Sequence, residues 1–173
     1  MQEARCREHN LQSAIRNPQF DKAYGCLAAL ALGDVLGMPT EFLTPEQIAA
    51  EDGRVEGLVA PPAWHPHTPL PRGSITDDTG QALALAGVYL RYGRMTAEAA
   101  AQAPLEWAEA HQEHLELYIG PSTRRALEAL RAGADPRQSG QAGKTNGAAM
   151  RVAPAGIVRA GDFEATHTIN LLN

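Results

Sequence analysis

The chain has 173 residues, 44 % of them apolar, and a net charge of −5. That is enough length and apolar material for one domain with a core, and it excludes a mostly disordered chain. The acid excess leaves no basic patch, which excludes nucleic acid as an expected partner. With Cys6 and Cys26 as the only cysteines, a disulfide scaffold is also excluded and a cytoplasmic location is expected.

The first ten residues lack the apolar core of a signal peptide, and no uninterrupted run approaches the ~20 apolar residues of a membrane span, so no membrane partner is expected. Residues 1–20 read as a polar extension and 21–173 as a single helical domain. Asp21 is a candidate N-cap for a helix to about Leu36, with Tyr24, Leu27, Ala28, Ala31, Leu32 and Val35 spaced as a buried face. Asp34 stands near the C-terminus of that helix, where the dipole disfavours a carboxylate, which suggests a specific partner, although a solvent-facing Asp is the commoner case. Gly37-Met38-Pro39 stops the helix, and Thr44-Pro45-Glu46-Gln47 spells a capping box for a short one.

Residues 52–73 carry Pro61, Pro62, Pro66, Pro69 and Pro71 and little periodicity. A loop of that length inside a domain contacts substrate as a lid or is an inert surface segment. His65 and His67 within it have the donor type for a transition metal, but neither Cys nor an acidic cluster stands beside them. Further on, helices are expected over Asp78–Tyr92 with Gly93 as the stop and from Thr96 through a perturbation at Pro104 to about Leu117. A further one is expected over Thr123–Arg131, capped by Ser122 and ended by Gly133. His111 and His114, beside Glu113 and Glu116, read as a solvated face. A turn at Gly161-Asp162 and a helix from Phe163 to Asn173 close the chain.

Two stretches carry chemistry. Thr76-Asp77-Asp78-Thr79 lies where the loop enters a helix. As a local signal it is a capped helix start; as a donor set it offers the hard oxygens that Mg²⁺ or Mn²⁺ takes. Ser139–Ala149 is small and glycine-rich and precedes Met150-Arg151-Val152-Ala153-Pro154. Such a loop either cradles an anion such as a diphosphate or simply connects helices. Gly143-Lys144-Thr145 is not a P-loop, because Gln138 stands where its first glycine belongs and no β-branched strand precedes it.

Together, Gly25–Phe42, Gly73–Thr79 and Asn146–Gly156 resemble the ADP-ribosylglycohydrolase family. The resemblance implies an all-α, multi-helix orthogonal bundle with a dinuclear Mg²⁺ or Mn²⁺ centre that removes ADP-ribose from a modified acceptor side chain. It implies metal ligation by Thr76, Asp77 and Asp78, and catalytic roles for Glu41, Asp77 and Asp78. It also implies substrate contacts from Asp34, Gly143, Asn146, Gly147 and Met150. Family members carry a second acidic motif, Asp-x-Asp-Thr, far towards the C-terminus, and nothing after Asp162 matches it. The expectation is therefore the N-terminal portion of such a bundle without its C-terminal helices, completed by a second copy or a complementary C-terminal fragment. The alternative is a non-catalytic ADP-ribose-binding or structural member. Gly80 departs from the pattern, since a longer side chain often follows Thr-Asp-Asp-Thr.

Overall fold

The computed structural model describes residues 18–160. The described residues form helices, turns and loops, with no strand among them. In chain order these are α1 (Pro18–Gly37), a 3-10 turn (Met38–Thr40), α2 (Pro45–Glu51), α3 (Asp77–Tyr92) and α4 (Ala97–Ala110). A second 3-10 segment (Gln112–Leu117) is followed by α5 (Pro121–Arg131), α6 (Pro136–Ser139), α7 (Gly147–Arg151) and α8 (Ala153–Val158). The all-α expectation holds. The turn and helix expected beyond residue 160 lie outside the described residues.

α3 is the hub, packed against α1, α4, α7 and α8. It starts at Thr76, whose side chain accepts from the Asp78 N–H, and stops at Gly93, which takes the left-handed conformation at φ 66°. Only a residue without Cβ adopts that angle readily, so the predicted stop has a physical cause. One face of α3 contributes Leu85 and Val88 to a cluster with Ala100 and Ala103 of α4. A second cluster joins Trp107 and Ala108 of α4 to Ile119 and to Leu127 of α5, and Ala84 of α3 packs against both. The Thr44–Gln47 capping box forms as expected: Gln47 N–H donates to Thr44 Oγ1 at 3.3 Å and Thr44 N–H to Gln47 Oε1 at 2.8 Å.

Five expectations need correction. α1 has no fully buried residue; Tyr24 and Leu32 are exposed, with Leu27, Ala31 and Val35 half-buried. Ala28 is exposed as well, and the half-buried side instead takes in Ala23, Leu30 and Asp34, in a helix whose neighbours are α3 and α8. Helix α1 is also already under way at Pro18 rather than capped at Asp21. Moreover, the segment Pro18–Thr40 is long and apolar enough by composition to cross a membrane. Its Ala and Leu residues carry the mean hydropathy, while Gly, Asp and Lys positions interrupt the apolar run. Finally, α4 runs through buried Pro104 but ends at Ala110, so His111 and His114 lie on the 3-10 segment's side of the break, exposed. α5 is capped by Gly120 with Pro121 at its first position, which displaces Ser122 from the capping role.

Gly80 is explained by α4. A Cβ built on it would stand 2.3 Å from the Trp107 indole nitrogen and 2.8 Å from Cε2. The indole occupies the space that a side chain at position 80 would need, so the departure at Gly80 is paired with a large residue opposite. Gly80→Ala should cost about 1–3 kcal/mol by overpacking despite its better helix propensity. Chemical denaturation measures this; an unchanged or higher stability would contradict the packing.

Candidate active site

The chain brings α3 and α1 together through one carboxylate. Asp34 Oδ2 accepts from the backbone N–H groups of Thr76 (2.9 Å) and Thr79 (3.1 Å) and from the Thr79 hydroxyl (2.6 Å). Its Oδ1 accepts from the Thr76 hydroxyl at 2.7 Å. Asp34 therefore caps α3 from another helix, which is the partner its position against the α1 dipole called for. Both hydroxyls flanking the acidic pair spend their protons on it.

Asp77 and Asp78 stand in the first turn of α3. Asp77 is buried, with Oδ2 accepting from Gln81 Nε2 at 3.0 Å. Burial raises its pKa to about 7, assisted by the Asp78 charge and by Glu41, while Arg151 acts in the opposite direction. Asp78 is raised to about 6, by burial first and then by Asp34 and Glu41. Arg151, on α7, is itself largely withdrawn from water, which lowers its pKa, and its Nε has no hydrogen-bond partner among the described residues. Acid charges thus outnumber the cations that face them.

Glu41 lies on the turn after α1, across from that pair. Its Oε2 is 2.8 Å from His67 Nε2, and the hydrogen bond to Glu41 leads the causes that raise the His67 pKa. His65 Nε2 meets the Glu41 carbonyl at 2.6 Å, and the His67 backbone N–H donates to His65 Nδ1 at 3.1 Å. A carbonyl only accepts and an N–H only donates, so His65 is the Nε2–H tautomer. The proline-rich loop is consequently folded inwards, with both imidazoles buried.

A cleft of about 380 Å³ has Glu41, Asp77, Asp78, Asn146, Gly147 and Met150 among its lining residues. That volume falls in the range of small-molecule sites. Thr76 and Asp34 lie behind the acidic pair and do not line the cleft, and Gly143 faces a neighbouring cavity with Arg137 and Arg151. Asn146 opens α7, a helix of five residues, without a side-chain cap. Sequence reasoning missed His67 and Arg151: 26 residues separate His67 from Glu41, and no local pattern links them. For Arg151, the only available signal was a lone cation in a run of small residues.

Among the described residues no three His, Cys, Asp or Glu side chains are close enough together to hold a metal ion. What the arrangement offers is one side of a hard-cation site. Asp77 and Asp78 are crowded carboxylates, and Thr76 Oγ1 keeps a lone pair once its proton is given to Asp34. The hard-oxygen chemistry of these donors fits Mg²⁺ or Mn²⁺.

An all-helical domain with a carboxylate pair at a helix N-terminus on a ligand-sized cleft defines the class. The match to known proteins is specific: the ADP-ribosylglycohydrolase family model covers residues 16–169, and the chain belongs to that family. An uncharacterised protein of Escherichia coli, YegU, is 34 % identical over 140 residues, covering 80 % of this chain and 42 % of its own length. An ADP-ribosylarginine hydrolase of Pseudomonas putida is 32 % identical over 157 residues, covering 85 % and 38 %. The ADP-ribosyl-[dinitrogen reductase] glycohydrolase of Rhodospirillum rubrum is 31 % identical over 144 residues, covering 82 % and 46 %. The chain spans less than half the length of these relatives.

Two outcomes follow. Asp34→Ala removes four hydrogen bonds and leaves two N–H groups of α3 without an acceptor, and should cost about 3 kcal/mol; a loss near the ~0.5 kcal/mol of a surface change would contradict the capping role. The second concerns pH in the presence of a chelator. Folded Asp77 and Asp78 hold protons more tightly than carboxyls at 3.8 do, so stability present below that value is lost as pH rises towards about 7. His67 has the same sign, losing its contribution as pH rises through its raised pKa. Thermal midpoints should fall between about pH 5 and 8 and flatten in Asp77→Asn; a rise over that range would contradict the burial of the pair.

Proposed function

We propose that the cleft receives ADP-ribose carried on a protein side chain and that the domain acts in its hydrolytic removal. The observation that supports this most directly is the meeting of Glu41, Asp77 and Asp78 with Asn146, Gly147 and Met150 around one cleft, in a chain of this family. Water adds to the anomeric carbon of the ribose that bears the acceptor, the bond to the acceptor breaks, and the acceptor leaves with a proton. Glu41, half-exposed at the cleft and hydrogen-bonded to His67, takes the water's proton and returns one to the leaving group. Asn146 and Gly147 hold the diphosphate and the distal ribose, and Met150 closes the apolar floor. Gly143, in the adjoining cavity, gives its loop the freedom to approach the diphosphate.

Thr76, Asp77 and Asp78 are the residues that would hold Mg²⁺, or Mn²⁺, and such an ion supplies Lewis-acid stabilisation of the ribose oxygens and a more acidic water. Asp34 keeps the Thr76 oxygen turned so that its lone pair is available. Water and ribose hydroxyls would complete the coordination of such an ion. Arginine and the side chain modified in dinitrogen reductase are the acceptors that the relatives' names suggest.

A binding-only member is the second reading, favoured because no three acidic or His side chains among the described residues converge on one point. Calorimetric titration of ADP-ribose into the chain with Mg²⁺ and then with EDTA tests the cleft. Metal-dependent binding is expected, and Asp77→Asn should abolish it while leaving thermal stability unchanged or higher, because carboxylate crowding is relieved. Undiminished ADP-ribose affinity in Asp77→Asn, with only stability altered, would reduce Thr-Asp-Asp-Thr to a helix cap.

A further inference from the structure

Glu41 sits on a turn that is costly to form. Leu43 N–H donates to the Thr40 carbonyl at 3.1 Å, closing a β-turn in which Glu41 has φ −56° and ψ 142° and Phe42 has φ 66°. Those are the angles of a type II turn, whose third position normally requires glycine. A phenylalanine there is strained and persists only if its surroundings hold it; its ring is largely exposed, so the hold falls on the contacts made by Glu41. The surroundings are the proline-rich segment. Phe42 lies beside both imidazoles, with ring centroids 6.1 Å from His65 and 6.0 Å from His67. His65 holds the Glu41 carbonyl and His67 the Glu41 carboxylate, while the two histidines are tied to each other through the His67 N–H.

The segment is internally fixed as well. The His65 N–H donates to the Pro62 carbonyl at 2.9 Å and the Thr68 hydroxyl donates within reach of both the Pro62 and His65 carbonyls, at 2.7 and 2.6 Å. Prolines limit the alternatives open to its backbone. The charged groups facing His67 are Glu41 and, more distantly, Asp77.

We propose that His65 and His67 are positioning residues that form a two-point clamp on Glu41, one on its backbone and one on its carboxylate, and fix that carboxylate at the cleft. The clamp rests on the reading of Glu41 as the proton-transfer group given above. Its function is to hold one carboxylate geometry against a turn that would otherwise relax, which matters because small misplacements of a reacting group cost large factors in rate.

Two measurements on the full chain test it. Side-chain ¹H–¹⁵N correlation spectra at fixed pH read the clamp without catalysis. His65 should show the Nε2–H pattern, and the His67 nitrogens should shift on Glu41→Gln; nitrogens unmoved by that change overturn the proposal whatever the activity. Release of ADP-ribose from an ADP-ribosylated arginine peptide reads the consequence. His67→Leu should lower kcat at least about tenfold with KM within about twofold, and His67→Gln, which keeps an N–H donor, should recover most of the rate. An unchanged kcat in His67→Leu, or equal losses in Leu and Gln, would overturn positioning by the hydrogen bond. A wild-type chain that releases no ADP-ribose would instead sink the reading of the cleft, and the spectra alone would then decide the clamp.

Discussion

The arrangement depends on Asp34, a carboxylate near the wrong end of its own helix that is right for another one. At the C-terminus of α1 the helix dipole opposes it, but its two oxygens collect four hydrogen bonds from the first turn of α3. An inter-helix cap of this kind fixes more than a stability increment. It ties down the start of α3 and holds the Thr76 and Thr79 hydroxyls that flank Asp77 and Asp78. It also adds a charge to the neighbourhood of Asp78, whose pKa it helps to raise.

From that constraint comes an electrostatic surplus. Asp34, Glu41, Asp77 and Asp78 are gathered with Arg151 and His67 as the opposing cations, and the cations do not saturate them. Folding alone would favour fewer acids here. An acidic cluster held together at some cost to stability is the electrostatic form expected of a site whose missing positive charge arrives with a cation. The Gly80–Trp107 contact shows the supporting side of the same design, in which α4 locks α3 from behind by filling the space a side chain would take.

Much of this was legible in the residues, because the signals were local. The Thr44 capping box and the stop of α3 at Gly93 each follow from chemistry within a few positions, and the structure has them, with α3 starting at Asp77, one residue before the expected Asp78. Asp34 announced that it needed a partner, although not which one. What was not legible is long-range. Nothing near His67 in the sequence reveals Glu41, and the solvent exposure of Tyr24 and Leu32 follows from what covers α1 rather than from its periodicity. The break at Ala110 was hidden because the pattern of α4 continues into the 3-10 segment.

The most direct test of the account is a calorimetric titration of Mn²⁺ into the chain near pH 6.5, repeated in two buffers of different ionisation enthalpy. Asp77 and Asp78 titrate at about 7 and about 6, so together they carry roughly one proton at that pH, which a cation binding their oxygens must expel. Binding accompanied by release of about one proton, lost in Asp77→Asn, is the predicted result. Binding with no proton release, or release that persists in Asp77→Asn, would contradict the claim that this buried acidic pair is the cation-binding half of the site.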